Sequence, residues 1–151
     1  MALNSGKNRT KTTAGRRGAS EHAQDVPEVI VDFIFEDGLL FVAVENIGPK
    51  PALKVTTRFN RKFFGAGGNE DISGKAMFQN IEFLAPGKKI MTFVDTSTAY
   101  FARKEPDKIS ATVSWRDANG AAFKAKIDHD LAIYQDIAYI QKLQLNREKG
   151  G

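Results

Sequence analysis

Few side chains in this sequence have the type and spacing that catalysis or metal binding requires. His129 stands between Asp128 and Asp130, and the other histidine, His22, is more than a hundred residues away. A single imidazole with flanking acids supplies too few ligands for zinc, and strand alternation would place both acids on the face opposite the ring. We therefore predict that His129 is a solvated surface residue and that the chain holds no metal site.

A second pattern, Asp117-x-Asn119-Gly120, is similar to the start of a calcium-binding loop. The glutamate that such a loop needs at its twelfth position is absent, because the shorter Asp128 stands there. A hairpin turn explains these residues better, since Asn-Gly accepts positive φ at both central positions.

Nucleophilic and acid–base chemistry finds equally little support. The chain has no cysteine, which excludes thiolate nucleophiles, disulfides and thiolate-bound metals. No serine stands in a nucleophile elbow, and Glu70-Asp71 lies in a polar loop, where solvated carboxylates are the rule. We predict that the protein is not an enzyme, has no catalytic residue and takes no cofactor or small-molecule substrate.

The elements that would position such groups are β-strands, organised around residues 39–59. Residues 39–45 are apolar, and the corner that follows contains Pro49 and Pro51, which cannot continue a central ladder. Residues 53–59 then alternate between inward and outward positions, the predicted inner ones being Leu53, Val55, Thr57 and Phe59.

Five further segments predict strands from their β-branched and aromatic content: 29–35, 77–83, 90–94, 109–115 and 122–127. Turn signals separate them, including Asp37-Gly38 and Pro86-Gly87. About seven short strands at this spacing are typical of two packed antiparallel sheets. We predict an all-β, immunoglobulin-like sandwich of about seven strands over residues 26–129.

Three turn motifs carry a resemblance to a known family. They are Glu45-Asn46-Ile47-Gly48 with Ala52-Leu53-Lys54-Val55, Leu84-Ala85-Pro86-Gly87-Lys88, and Trp115-Arg116-Asp117-x-Asn119-Gly120. This set resembles the corners of bacterial and archaeal immunoglobulin-like domains related to the cell-adhesion-associated (CARDB-type) domain. The resemblance implies a binding or spacer module without catalysis, often exported or attached to a surface.

Residues 1–25 differ sharply in composition from the rest, and we predict that they form a flexible basic arm. Residues 1–20 contain no acid, and the rest of the chain holds 17 of the 22 basic residues and all 18 acidic ones. The arm is either a solubilising tail or a segment that docks on nucleic acid or an acidic protein neighbour. Its basic residues are Lys7, Arg9, Lys11, Arg16 and Arg17.

Two further segments are candidate protein-binding sites. Phe63 and Phe64 precede a glycine-rich loop, and they either close one end of the core or form an exposed apolar tip. Residues 130–151 show helical spacing, which predicts an amphipathic helix that packs on its own sandwich or binds a partner. The helical residues proposed for partner binding are Ile133, Tyr134, Ile137 and Ile140.

No apolar run reaches the ~18–20 residues that a membrane-spanning helix needs, and the N-terminal residues lack the apolar core of a secretion signal. We therefore expect a cytoplasmic protein or a component of a virion or other large assembly. The predicted function is non-enzymatic: a structural module that docks through its arm, its Phe-Gly loop and its C-terminal helix. Nucleic-acid association through the arm is the alternative.

Overall fold

The computed structural model describes residues 25–137, which form an immunoglobulin-like sandwich of two antiparallel sheets. The first sheet has the order β1-β2-β7, and the second has the order β6-β3-β8-β9. These seven strands are β1 (Val29–Glu36), β2 (Leu39–Asn46), β3 (Ala52–Phe59), β6 (Ile81–Leu84), β7 (Lys89–Thr96), β8 (Lys108–Arg116) and β9 (Ala122–Asp130). The predicted fold class is confirmed.

The core lies between the two sheets and is built by strand alternation. Val55 and Val113 both point inward and are fully buried. Trp115 closes one end: its indole N–H donates to the main-chain oxygen of Pro27 at 3.1 Å, and its ring stacks on Phe123. This hydrogen bond links the residues just before β1 to the second sheet.

The corner after β2 is held by Asn46, whose side chain is fully buried. Its Oδ1 accepts from the N–H groups of Glu28 at 3.2 Å and Gly48 at 3.0 Å. Its Nδ2 donates to the main-chain oxygens of Lys50 at 2.7 Å and Leu84 at 3.1 Å. One amide therefore bonds to four main-chain groups in three chain segments, which explains why the corner needs asparagine.

The two hairpins differ in their turns. Asp37 and Gly38 both have positive φ, 55° and 77°, which is the two-residue turn that suits paired strands. The predicted β8–β9 hairpin is confirmed, but in its turn only Gly120 has positive φ, 89°. Asp117 reshapes this turn, because its carboxylate accepts from the N–H groups of Asn119 and Ala121, both at 2.9 Å.

Two other strand predictions need correction. Lys54 has a φ of 52° and lies at a bulge in the pairing of β3 with β8. The bulge shifts the alternation, so that Ala52 is buried in place of the predicted Leu53. The predicted strand at 77–83 begins as a short helix, α1 (Ala76–Gln79), and only β6 is extended.

The remaining elements lie at one end of the sandwich and at the C-terminal side. The connection after β3 contains a small hairpin of β4 (Phe64–Gly65) and β5 (Glu70–Asp71), with short 3-10 turns at Ala66–Gly68 and Ile72–Gly74. Helix α2 (Ser97–Ala102) begins after Thr96, whose Oγ1 accepts from the Ala99 N–H at 3.1 Å. Helix α3 is described over residues 133–137, and Asp130 accepts from the Ala132 N–H at 3.1 Å just before it.

Candidate interaction surfaces

The predicted apolar tip at Phe63 and Phe64 is wrong for Phe63, which is fully buried. Its ring lies edge-on to Phe33 at 5.5 Å and to Phe59 at 5.0 Å between centroids. Phe63 therefore closes one end of the core, which is the other alternative that the sequence left open. Phe64 is half-buried, and its main chain pairs with Asp71 in the small hairpin.

A charged network fastens this hairpin to the sandwich. Arg103 Nη1 donates to Asp95 Oδ2 at 2.7 Å, and its Nη2 donates to the Phe64 oxygen at 2.9 Å. Glu105 accepts from the Phe64 N–H at 3.0 Å and lies 3.5 Å from Arg103 Nε. The Gly67 N–H donates to Asp95 at 3.0 Å. Every charge in this network has a partner, so it stabilises the loop rather than offering a site.

The environment of Asp95 alters its titration. Burial acts to raise the pKa of this carboxyl, but hydrogen bonds from Arg103, Gly67 and Thr96 outweigh burial and hold the pKa below its ordinary value. Nearby, burial raises the pKa of the Tyr100 phenol, whose hydroxyl donates to the Pro106 oxygen at 2.6 Å. Asp95 is therefore charged and Tyr100 neutral at physiological pH.

Helix α3 packs on the sandwich with one side and exposes apolar side chains on another. The Tyr134 hydroxyl donates to the Phe33 oxygen at 3.2 Å, and its ring stacks on Phe35 at 5.6 Å, so this side packs on the sandwich. Ile133 and Ile137 are exposed, at 61% and 43%. The predicted binding residue Ile140 lies outside the described residues, as do the basic residues of the arm: Lys7, Arg9, Lys11, Arg16 and Arg17.

The prediction of a solvated His129 is wrong. Its Nε2 lies 2.8 Å from the Val31 oxygen, and its ring packs edge-on against Phe33 at 5.1 Å. Because a carbonyl only accepts, Nε2 carries the proton. His129 and Tyr134 thus cover the main-chain acceptors of Val31 and Phe33, on the outer edge of β1, and bridge the two sheets there.

Sequence reasoning missed an apolar surface on the outside of the three-stranded sheet, which we call the apolar face: Ile34, Phe41, Ala43, Met91 and Phe93. The strand register places Ile34 beside Phe41 and Phe41 beside Phe93, and the last two rings are 5.8 Å apart. Met91 and Phe93 are exposed at 46% and 42%. The sequence does contain a signal: residues 39–45 and 90–94 are mostly apolar at odd-numbered and even-numbered positions alike, so both faces of each strand carry apolar side chains.

A second missed feature is an open depression of about 390 Å³ beside the end of β3, which we call the basic depression. Its lining combines cationic, amide and hydroxyl side chains: Thr57, Arg58, Phe59, Asn60, Arg61, Lys62, Ser73 and Gln79. No carboxylate belongs to this set. The Thr57 hydroxyl is buried and has no hydrogen-bond partner within the described residues.

Other site types are not seen in residues 25–137. No group of three or more potential metal-ligating side chains comes together in that range. Nor does that part of the chain contain a helix with the length and apolarity needed to cross a bilayer.

Comparison with known proteins gives one relationship. No curated protein matches the chain. One family model, described as a domain of unknown function (DUF8453), matches residues 4–135, and so covers the basic segment from residue 4 together with the whole sandwich and the start of α3. Because this match spans most of the chain, the protein belongs to the DUF8453 family.

Proposed function

We propose that this protein is a non-enzymatic structural module that assembles with further copies of itself. The observation that carries the proposal is the presence of two exposed apolar surfaces on one small sandwich. One is the apolar face, with Met91 and Phe93 exposed, and the other is the outward side of α3, with Ile133 and Ile137 exposed.

Adjacent exposed apolar side chains are costly on an isolated protein and are characteristic of interaction sites. Aromatic residues and methionine are enriched at the centres of protein interfaces, and the apolar face has both types: the rings of Phe41 and Phe93 pack together, and Met91 lies two residues along the same strand. The other sheet is polar along β9, where Lys124, Lys126 and Asp128 are exposed, and on β6 it has a single exposed aromatic residue, Phe83. The two outer faces therefore differ in the property that governs association.

The occupant that fits the apolar face is the C-terminal helix of a second copy. The face is bordered along β1 by the exposed acidic residues Asp32 and Glu36. The sequence that follows the exposed Ile133 and Ile137 contains three basic residues: Lys142, Arg147 and Lys149. An apolar helix stripe with basic neighbours complements an apolar sheet face with an acidic border.

The test is light scattering coupled to size-exclusion chromatography on the full chain, over a roughly hundredfold range of concentration. We expect a discrete oligomer whose dissociation constant rises at least about tenfold in Phe93→Lys. Phe83→Lys is the matched control, because Phe83 is 60% exposed on β6, away from the apolar face. Ile137→Lys should weaken association as Phe93→Lys does.

Two results would overturn this proposal. The first is a monomer at every concentration, which would show that the exposed apolar groups do not bind a second copy. The second is an equal effect of Phe83→Lys and Phe93→Lys, which would show that added charge matters but the apolar face does not.

Nucleic-acid association is a second candidate, supported by the five basic residues of the arm and the absence of acids in residues 1–20. Five phosphate contacts would give a slope of about −4 to −5 for log affinity against log salt on duplex DNA. Replacing all five with glutamine should flatten that slope. Replacing Lys124 and Lys126 instead is the control, and unchanged binding by the arm variant would exclude this function.

A further inference from the structure

We propose that β7 is a pairing edge, along which a second copy of this chain adds its own β7 in antiparallel orientation. The inference rests on the proposed function for the identity of the partner, and it assigns a second contact between the copies, made by main-chain groups. Three observations support it: the direction of the main-chain groups of β7, the exposure of the strand, and the protection of the other sheet edges.

The first observation is the direction of the main-chain groups. β7 lies at the end of the first sheet, with β2 on one side and no other described strand on the far side. The Asn46 N–H donates to the Lys88 oxygen at 3.0 Å, so the even-numbered residues of this segment bond to β2. Lys89, Met91 and Phe93 therefore direct their N–H and C=O groups away from β2. Among the described residues, no turn, loop or side-chain hydrogen bond reaches these groups.

The second observation is the exposure of the strand on both of its faces. On the outer face, Met91 and Phe93 are exposed at 46% and 42%. Ile90 and Thr92 point toward the other sheet, and they are nevertheless only half-buried. Val44, which pairs with Ile90 on the neighbouring strand, is fully buried. The loss of burial from β2 to β7 indicates that the edge of β7 is open beside these residues.

The open stretch ends at Phe93, because the small hairpin occupies the edge beyond it. Gly65 lies so close to Val94 that a Cβ atom on the glycine would overlap the Val94 oxygen. The Gly67 N–H donates to Asp95 Oδ2 at 3.0 Å. The edge therefore offers space for one short strand, about as long as the open stretch itself.

The third observation is that the other sheet edges are protected. His129 and Tyr134 hydrogen-bond to the main-chain oxygens of β1. β9 carries the exposed Lys124 and Lys126, and β6 is only 4 residues long. Covering, charging and shortening an edge are the means by which proteins prevent unwanted pairing. The apolar Met91 at the centre of the open stretch has none of these protections, so each copy offers one pairing edge and the pairing closes at two copies.

A second β7 fits this edge because the open stretch is complementary to itself. Two antiparallel copies related by a twofold axis at residue 90 or 91 bring their odd-numbered residues opposite each other, so that donors meet acceptors. In both arrangements Lys89 lies opposite Met91 or Phe93 of the second copy and never opposite a second Lys89. Pairing also places the two apolar faces side by side, which continues the surface proposed to bind the C-terminal helix.

The first test is amide hydrogen exchange, resolved by residue with NMR on the full chain labelled with ¹⁵N, at the two ends of a roughly hundredfold range of concentration. We expect the amides of Lys89, Met91 and Phe93 to exchange at least about tenfold more slowly at the high concentration. The amides of Ile90 and Thr92, which already bond to β2, should change far less. A helix docked on the apolar face would not produce this alternation, because it takes no hydrogen bonds from the strand edge.

The second test compares Met91→Pro with Met91→Ala by light scattering over the same range of concentration. Both substitutions shorten the side chain, but only proline removes the N–H, which the ladder with β2 does not use. We expect the dissociation constant of Met91→Pro to exceed that of Met91→Ala at least about tenfold. Urea denaturation shows whether each variant is folded, and if Met91→Pro did not fold, the exchange measurement on the unmodified chain would decide.

The outcomes separate this inference from the proposed function. A monomer at every concentration would overturn both. An oligomer in which Lys89, Met91 and Phe93 exchange as fast as in the monomer would overturn edge pairing alone, and so would equal association of the two folded Met91 variants. In those cases a weaker association of Ile137→Lys would still support docking of the C-terminal helix.

Discussion

The connection between β3 and β6 has two sides, which differ in whether their charged side chains form ion pairs. On one side, Arg103 joins Asp95 and Glu105 and fastens the small hairpin through its main chain. On the other side, Arg58 and Arg61 border the basic depression without an ion pair among the described residues. We call the side with the paired charges of Arg103, Asp95 and Glu105 the closed side, and the side with Arg58 and Arg61 the open side.

The difference separates structural charge from charge that is available for binding. Asp95 and Arg103 are largely withdrawn from water, with side chains 9% and 23% exposed. Charges in such a position must be paired, and breaking the pair is more costly than its net contribution suggests. Exposed cations have no such requirement, so Arg58 and Arg61 can remain without a partner at little cost.

The largest expected effect comes from Arg103→Leu, which would remove the cation paired with Asp95 and the side-chain donor to the Phe64 oxygen. We expect a loss of about 2–3 kcal/mol in the free energy of unfolding, below the value for fully buried pairs because Arg103 is partly exposed. Urea denaturation measures it. Arg61→Leu is the control, and equal losses in the two variants would contradict the division between the two sides.

Acid should also destabilise the protein on the closed side, by protonating Asp95. The folded-state pKa of Asp95 lies below its ordinary value of 3.8. Its contribution to stability is therefore complete above that pH and is lost as pH falls through the lowered pKa. Denaturation of the wild type and of Asp95→Asn at several pH values from neutral downward should show the difference between them shrinking below about pH 4.

A constant difference between these two proteins down to the acid transition would contradict that role for Asp95. The carboxylates of Glu82 and Asp130 also have lowered pKa values: Glu82 bonds to Asn80 and Lys54, and Asp130 bonds to Lys108 and Ala132. Both are on the exposed surface, so their loss should matter little. Asp130→Asn is accordingly the control for the acid experiment.

A feature of the structure could be predicted from the sequence where neighbouring residues determine it. Alternation and turn residues predicted the sandwich. The bulge at Lys54 has no such signal, because lysine gives no indication of positive φ. Residue type alone does not show which of the neighbouring Phe63 and Phe64 is buried, since burial depends on contacts with distant strands.

The surfaces were harder to predict than the strands. The apolar face arises because β2 and β7 are neighbours, although β3 to β6 lie between them in the chain. The basic depression arises because β6 stops pairing at Val55. His129 was predicted to be solvated because strand alternation gives the side of the sheet but not what the ring contacts. Each of these depends on pairing that spacing within one strand cannot reveal.

A smaller effect is expected from Thr57→Val on the open side. The Thr57 hydroxyl is buried without a hydrogen-bond partner in the described structure, and valine has nearly the same shape. Removing an unsatisfied buried group should raise the free energy of unfolding by about 1 kcal/mol. Thr112→Val on the outer face of β8 is the control, where the change should stay within about 0.5 kcal/mol. A destabilised Thr57→Val would mean that this hydroxyl is satisfied.

The smallest effect on stability is expected for Arg61→Ala. Its guanidinium is exposed and has no ion pair among residues 25–137, so the free energy of unfolding should change by less than about 0.5 kcal/mol. The loss in Arg103→Leu should exceed it severalfold, because the Arg103 side chain is largely withdrawn from water and paired with Asp95. Urea denaturation of both variants measures the comparison. If Arg61→Ala destabilised the fold as Arg103→Leu does, both sides would be structural and the division between them would be contradicted.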